Sequence, residues 1–188
     1  MLVIARRKML RRLGVAAGAT LAAGLVARKP RAAELSDLAE AIQPAKPPTA
    51  PPPIQFVDVN GKTHSLAEFK GHGLVVNLWA TWCAPCVAEL PSLAKLAQAV
   101  APQDVAVLPL SSDHGGKAAV TAFMASHKIE GLPVLLDPEG AVLRAWHVRG
   151  IPTTLLINRE GLAVARVEGS VDWATPAAVA LVKKLVEG

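Results

Sequence analysis

The chain has 188 residues, enough for one domain with a sizeable core, and carries a formal charge of +5 with a pI near 9.5. Eight of its twenty Lys and Arg fall within residues 1–33, which hold no Asp or Glu, and the remainder has twelve basic and fifteen acidic side chains, a net charge of −3. The body is therefore mildly acidic, and with no arginine stripe or interleaved aromatics it excludes nucleic acid as the partner.

Residues 1–33 run from a basic stretch (Arg6, Arg7, Lys8, Arg11, Arg12) into an apolar, Gly- and Ala-rich segment from Leu13 to Ala27. As a helix that segment would extend about 22 Å at 1.5 Å per residue, against a hydrocarbon core of about 30 Å. It is short for a span and suits the apolar region of an export signal. Arg6-Arg7-Lys8-Met9-Leu10-Arg11 is similar to the twin-arginine export pattern, with an ordinary secretory signal as the alternative. Either route leads to the periplasm or another extracytoplasmic space. Arg31 before Ala32 and Ala33 makes a poor cleavage site, so an uncleaved inner-membrane anchor stays open.

Leu35, Leu38, Ala39 and Ile42 share one helical face, which predicts a short amphipathic helix over residues 34–43. Six prolines between Pro44 and Pro53 predict an extended polyproline linker of roughly 30 Å. The chain thus divides into residues 1–33 (signal or anchor), 34–53 (helix and linker) and a folded domain over 54–188.

From Ile54 the pattern alternates between strand and helix. Gln55 to Val59, followed by Asn60-Gly61, reads as a strand entering a tight turn, and Leu66 to Lys70 as a helical turn. Leu74 to Trp79 is a continuous apolar run suited to a buried central strand. Cys83 to about Val100 is helical, interrupted by Pro91, where a kink is expected. Val105 to Leu110 is a second core strand, Lys117 to His127 a helix and Val134 to Leu136 a short strand before a turn at residues 137–140. Thr153 to Ile157 and Ala163 to Glu168 form a hairpin, and a helix from Thr175 or Pro176 to Val186 closes the chain. Such alternation indicates an α/β sandwich.

The only cysteines are Cys83 and Cys86, and a bridge across two residues constrains little of the unfolded chain, so the pair is reactive or binds something. Trp82-Cys83-Ala84-Pro85-Cys86 follows the buried strand and opens the next helix. There the backbone N–H groups and the positive end of the helix dipole favour a thiolate, lowering its pKa from about 8.5 into a range of roughly 3.5–7.5. Cys83 is the candidate nucleophile and Cys86, one turn on, the resolving thiol. Pro85 removes one backbone donor and stiffens the turn.

The run from Val76 to Cys86, with Glu89 and Pro91 after it, resembles the TlpA- and ResA-type thioredoxin-like reductases, and so does Gly150-Ile151-Pro152-Thr153-Thr154. The resemblance covers about residues 54–188. It implies a thioredoxin-like three-layer α/β sandwich with an N-terminal β-hairpin and a central strand-helix insert within residues 105–136. It implies that Pro152 is cis, exposing the Ile151 backbone to an extended substrate, and that Trp82, Ala84 and Pro85 shape the docking surface. It implies also that Glu89 exchanges protons with Cys86, since the position of the buried Asp of cytoplasmic thioredoxins is held by Asn77, read as a core amide. Trp79, Trp146 and Trp173 are assigned to packing, and the five histidines to surface or loop positions. The function implied is a disulfide reductase whose redox-active Cys83–Cys86 pair needs no other cofactor and no metal. Its expected partners are cysteine pairs of apocytochrome c or of a copper-site assembly protein, with a membrane thiol electron donor. A dithiol oxidant, or a carrier of Cu(I) on the two sulfurs, is the alternative.

Overall fold

A computed structural model describes residue 38 and residues 40–137 and 139–187; the signal or anchor expected over residues 1–33 lies outside the described residues. Eight strands form one mixed sheet: β1 (Ile42–Thr49), β2 (Gln55–Asp58), β3 (Thr63–Ser65), β4 (Gly73–Trp79), β5 (Val105–Ser111), β6 (Leu135–Leu136), β7 (Thr153–Ile157) and β8 (Ala163–Glu168). Their order across the sheet is β1-β8-β7-β4-β5-β6-β2-β3. β4, β5 and β6 are parallel, and β7 returns antiparallel to β4 with Asn77 opposite Thr154. From Ile42 onward the α-helices among the described residues are α1 (Ala84–Val100), α2 (Gly116–Ser126), α3 (Ala141–Ala145) and α4 (Pro176–Val186), with 3-10 turns at Leu66–Phe69 and Ala101–Gln103.

β4 is buried at all seven positions, which accounts for its unbroken apolar sequence. Its pleat sends Val75 and Trp79 to a core shared with Leu90, Leu93 and Leu96 of α1, Val120 of α2 and Val182 of α4. Leu74, Val76 and Leu78 face the opposite core, with Phe56, Val142 and Trp146. The result is a three-layer α/β sandwich of thioredoxin type. The N-terminal hairpin is β2–β3, and α2 with β6 forms the insert after β5.

Gly73 shows how tightly the layers close: a Cβ there would lie 2.6 Å from Val186 Cγ2 of α4. Gly73→Ala is therefore expected to destabilise the protein by about 1–3 kcal/mol, as overpacking does. Urea unfolding measures it, and an unchanged midpoint would contradict the close approach.

The linker expected over residues 44–53 is corrected. Ile42–Thr49 is β1, antiparallel to β8, with Ile42 opposite Val167 and Pro44 opposite Ala165. The pairing is irregular between Pro44 and Thr49, where the Lys46–Pro47 peptide is cis. Proline cannot donate to a ladder, but an edge strand has one side without a partner, and β1 is at the edge. Further along, the Pro52 carbonyl accepts a hydrogen bond from Trp146 Nε1 at 3.1 Å. The folded unit thus begins before Ile54. Of the helix expected over 34–43, Leu38, Glu40 and Ala41 are helical, and Ile42 and Gln43 are already strand. Residues 34–37 and 39 lie outside the described residues.

Two further differences are local. α1 continues through Pro91 rather than being interrupted there. α3 was not expected. The Asp137 carboxylate accepts the backbone N–H groups of Ala141 and Val142 at 2.8 and 2.9 Å, satisfying the first turn of a helix only five residues long.

Candidate active site

The end of β4 and the start of α1 place the two sulfurs. Cys83 is the N-cap of α1 in an extended conformation, and its Sγ accepts the Cys86 backbone N–H at 3.3 Å. The cap position ordinarily held by a Ser or Asp oxygen is here held by sulfur, so the donors that would cap the helix face the reactive atom. Cys83 and Cys86 are joined in a disulfide. Both are buried, whereas Trp82, Ala84 and Pro85 around them are exposed. Trp82, at 68% exposure, is the exposed large apolar side chain among the described residues. Access to Cys83 is therefore across an apolar rim.

The Ile151–Pro152 peptide is cis, and the Ile151 carbonyl oxygen lies 3.6 Å from Cys83 Sγ. The loop before β7 thus stands directly against Cys83, the expected nucleophile, although residues 83 and 151 are far apart in sequence. Pro152 is buried and its carbonyl accepts the Gly169 N–H at 2.9 Å, tying the loop to the end of β8.

Glu89 lies three residues beyond Cys86 on α1 and is buried. Its Oε1 accepts the Val171 backbone N–H at 3.1 Å and the indole N–H of Trp173. Its Oε2 accepts from Asn77 Nδ2 at 3.3 Å. Burial pushes the carboxyl up to about 7, while these three donors oppose the rise. Asn77 is a core amide, also donating to Thr154 Oγ1 at 2.9 Å.

Sequence reasoning missed the contributions of Asp113, Ser111, Thr154 and Trp173. Asp113, at the end of β5, accepts the Thr81 backbone N–H at 2.8 Å and the Thr81 hydroxyl at 2.6 Å, fixing the loop that carries Trp82 and Cys83. The Ser111 hydroxyl donates to the same carboxylate at 2.7 Å. Thr154 and Trp173 complete the surroundings of Glu89. Trp173 carried a signal, since a buried indole N–H needs an acceptor; nothing in the sequence pairs Asp113 with Thr81. Trp79 packs in the core, and the Trp146 indole bonds to Pro52.

A family profile described as Redoxin matches residues 45–180, a span that includes most of β1. The chain is 39% identical over 119 residues to the thiol-disulfide oxidoreductase ResA of Bacillus subtilis, covering 63% of this chain and 65% of ResA. To ResA of Bacillus thuringiensis subsp. konkukian it is 30% identical over 118 residues, covering 63% and 67%. The matched segment thus spans just under two thirds of the Bacillus subtilis protein. Among solved structures, the exposed lipoprotein thioredoxin of Streptococcus pneumoniae superposes with a TM-score of 0.60 at 31% identity, over 71% of this chain and 99% of that one.

Proposed function

This chain belongs to the Redoxin family, and from that premise we propose that it is a thiol-disulfide oxidoreductase working as a disulfide reductase outside the cytoplasm. The observation that carries the reading is Cys83 Sγ at the α1 N-cap, accepting the Cys86 N–H and lying against the cis-Pro152 loop. One sulfur is placed to be stabilised as an anion, a second stands one turn away, and the half-buried Ile151 backbone lies beside the first.

In the dithiol form the Cys83 thiolate attacks one sulfur of a substrate disulfide. A Cys83–substrate disulfide forms, and the other substrate sulfur leaves as a thiolate. Cys86 then loses its proton to Glu89 and attacks Cys83 Sγ, releasing the second substrate thiolate and closing the Cys83–Cys86 disulfide. Two electrons pass to the substrate. A membrane dithiol donor returns them by the reverse exchange.

Glu89 suits the proton step because a carboxyl held near 7 both takes and returns a proton at neutral pH. The substrate segment lies extended against Ile151, with Trp82, Ala84 and Pro85 packing on its side chains. The substrates are cysteine pairs of apocytochrome c or of a copper-site assembly protein. The basic-then-apolar leader supports export by a twin-arginine-like signal, with the N-terminus retained as an anchor or removed.

Reduction potential separates this reading from that of a dithiol oxidant. A value below about −250 mV is expected for a reductase, whereas a value near about −120 mV marks an oxidant and would overturn it. Equilibration with glutathione or dithiothreitol buffers at pH 7, read by mass spectrometry of the trapped thiols, gives the number.

A further inference from the structure

The two oxygens of Glu89 are not equivalent. A carboxylate oxygen has two lone pairs, and those of Oε1 are both engaged, one by the Val171 backbone N–H at 3.1 Å and one by the Trp173 indole N–H. Oε1 cannot take a proton without giving up one of these donors, and the buried Trp173 indole has no other acceptor among the described residues. Oε2 has a single, longer contact, 3.3 Å from Asn77 Nδ2, and a lone pair to spare.

Trp173 is itself among the largest fully buried side chains, fixed by the core it shares with α1 and α4. Its backbone N–H is held by the Ser92 hydroxyl at 3.2 Å, one turn along α1 from Glu89. The indole is therefore a rigid donor that cannot follow the carboxyl if the carboxyl turns. An indole N–H can only donate, so it takes no part in carrying the proton.

We propose that Trp173 is a positioning residue for Glu89: with the Val171 N–H it locks Oε1, so that the exchangeable proton is held on Oε2, on the side of the Asn77 amide. This rests on the reading of Glu89 as the proton partner of Cys86, and assigns that role to one of its two oxygens. The other ionisable groups around the carboxyl are Cys86 on α1, and Lys95 and Asp172, which are exposed on a cleft of about 360 Å³ that Glu89 also borders.

The test replaces the indole N–H without changing shape. Full-length protein carrying benzothienylalanine at position 173, and separately Trp173→Phe, are compared with the unaltered protein in the oxidised state. The carboxyl carbon of Glu89 is followed by 13C NMR against pH. A donor to the charged form is lost, so the Glu89 midpoint is expected to move upward by about one pH unit, roughly a tenfold gain in proton affinity. The same displacement is expected in the pH profile of disulfide reduction.

A purely structural Trp173 would lower the unfolding midpoint of Trp173→Phe and leave the Glu89 midpoint in place in the isosteric variant, and that result overturns the proposal. Glu89→Gln separates the two levels of the argument. If it leaves the pH profile of reduction unchanged, the proton-partner reading fails. If it alters that profile while the benzothienyl variant titrates as the unaltered protein does, only the assignment to Trp173 fails.

Discussion

Cys83→Ser is expected to lower disulfide reduction by more than about 10³-fold, and Cys86→Ser to stop turnover one step later, with protein accumulating as a covalent adduct of its substrate. The asymmetry follows from position. Cys83 receives the Cys86 N–H and lies beside the Ile151 carbonyl, so an incoming disulfide meets it first. A serine oxygen in its place keeps the cap but stays protonated at neutral pH and does not exchange with sulfur. In Cys86→Ser the first exchange proceeds normally, because the helix terminus that stabilises Cys83 is intact. The mixed disulfide then has no thiolate to resolve it. Non-reducing mass spectrometry after incubation with a disulfide peptide reads both results. An adduct trapped by Cys83→Ser and not by Cys86→Ser would reverse the roles of the two cysteines.

The parts of this site that lie close together in sequence could be read without coordinates. A continuous apolar run from Leu74 to Trp79, then Trp82 and the two cysteines, then a helical pattern, is enough to put a thiol at a helix N-terminus below a buried strand. The Ile151–Pro152 loop was reached only through resemblance, because no local pattern states that residues 83 and 151 meet. β1 was hidden for a different reason. Proline composition reports the cost of a strand in a sheet interior, and that cost disappears at an edge whose outer side needs no donors. α3 was hidden by its length, since five residues give no period. Its start is specified by Asp137, four residues before the helix. Trp173 is packed, as expected, and its polar edge is in addition turned onto Glu89, which the sequence does not state. Asp113 and Thr81 come together only because β5 lies next to β4 in the sheet.

The same carboxyl that serves proton transfer should weaken the fold at neutral pH. Glu89 titrates near 7 in the native protein, through burial, and near about 4.3 in an unfolded chain. Below roughly pH 4 both states carry the proton and Glu89 contributes nothing to the pH dependence. Between the two values the unfolded chain releases the proton while the native protein keeps it, so rising pH favours unfolding. Above about pH 7 both are ionised and the loss is complete, roughly 3–4 kcal/mol at 1.36 kcal/mol per pH unit. Glu89→Gln retains an Oε1 acceptor for Val171 and Trp173 and has no proton to lose. The difference in unfolding free energy between Glu89→Gln and the unaltered protein is therefore expected to grow in favour of the variant by roughly 3–4 kcal/mol from about pH 4 to about pH 8. Urea unfolding of the two oxidised proteins at pH 4, 6 and 8 measures it, and taking the difference removes the contributions of the other titrating groups, Asp137 among them. A difference constant across that range would mean that the native carboxyl ionises as it does in water. It would then be too weak a base to take the Cys86 proton at neutral pH. A destabilisation that Gln relieves, joined to a slower proton step in the same variant, would instead identify Glu89 as a group kept for its chemistry against the interest of the fold.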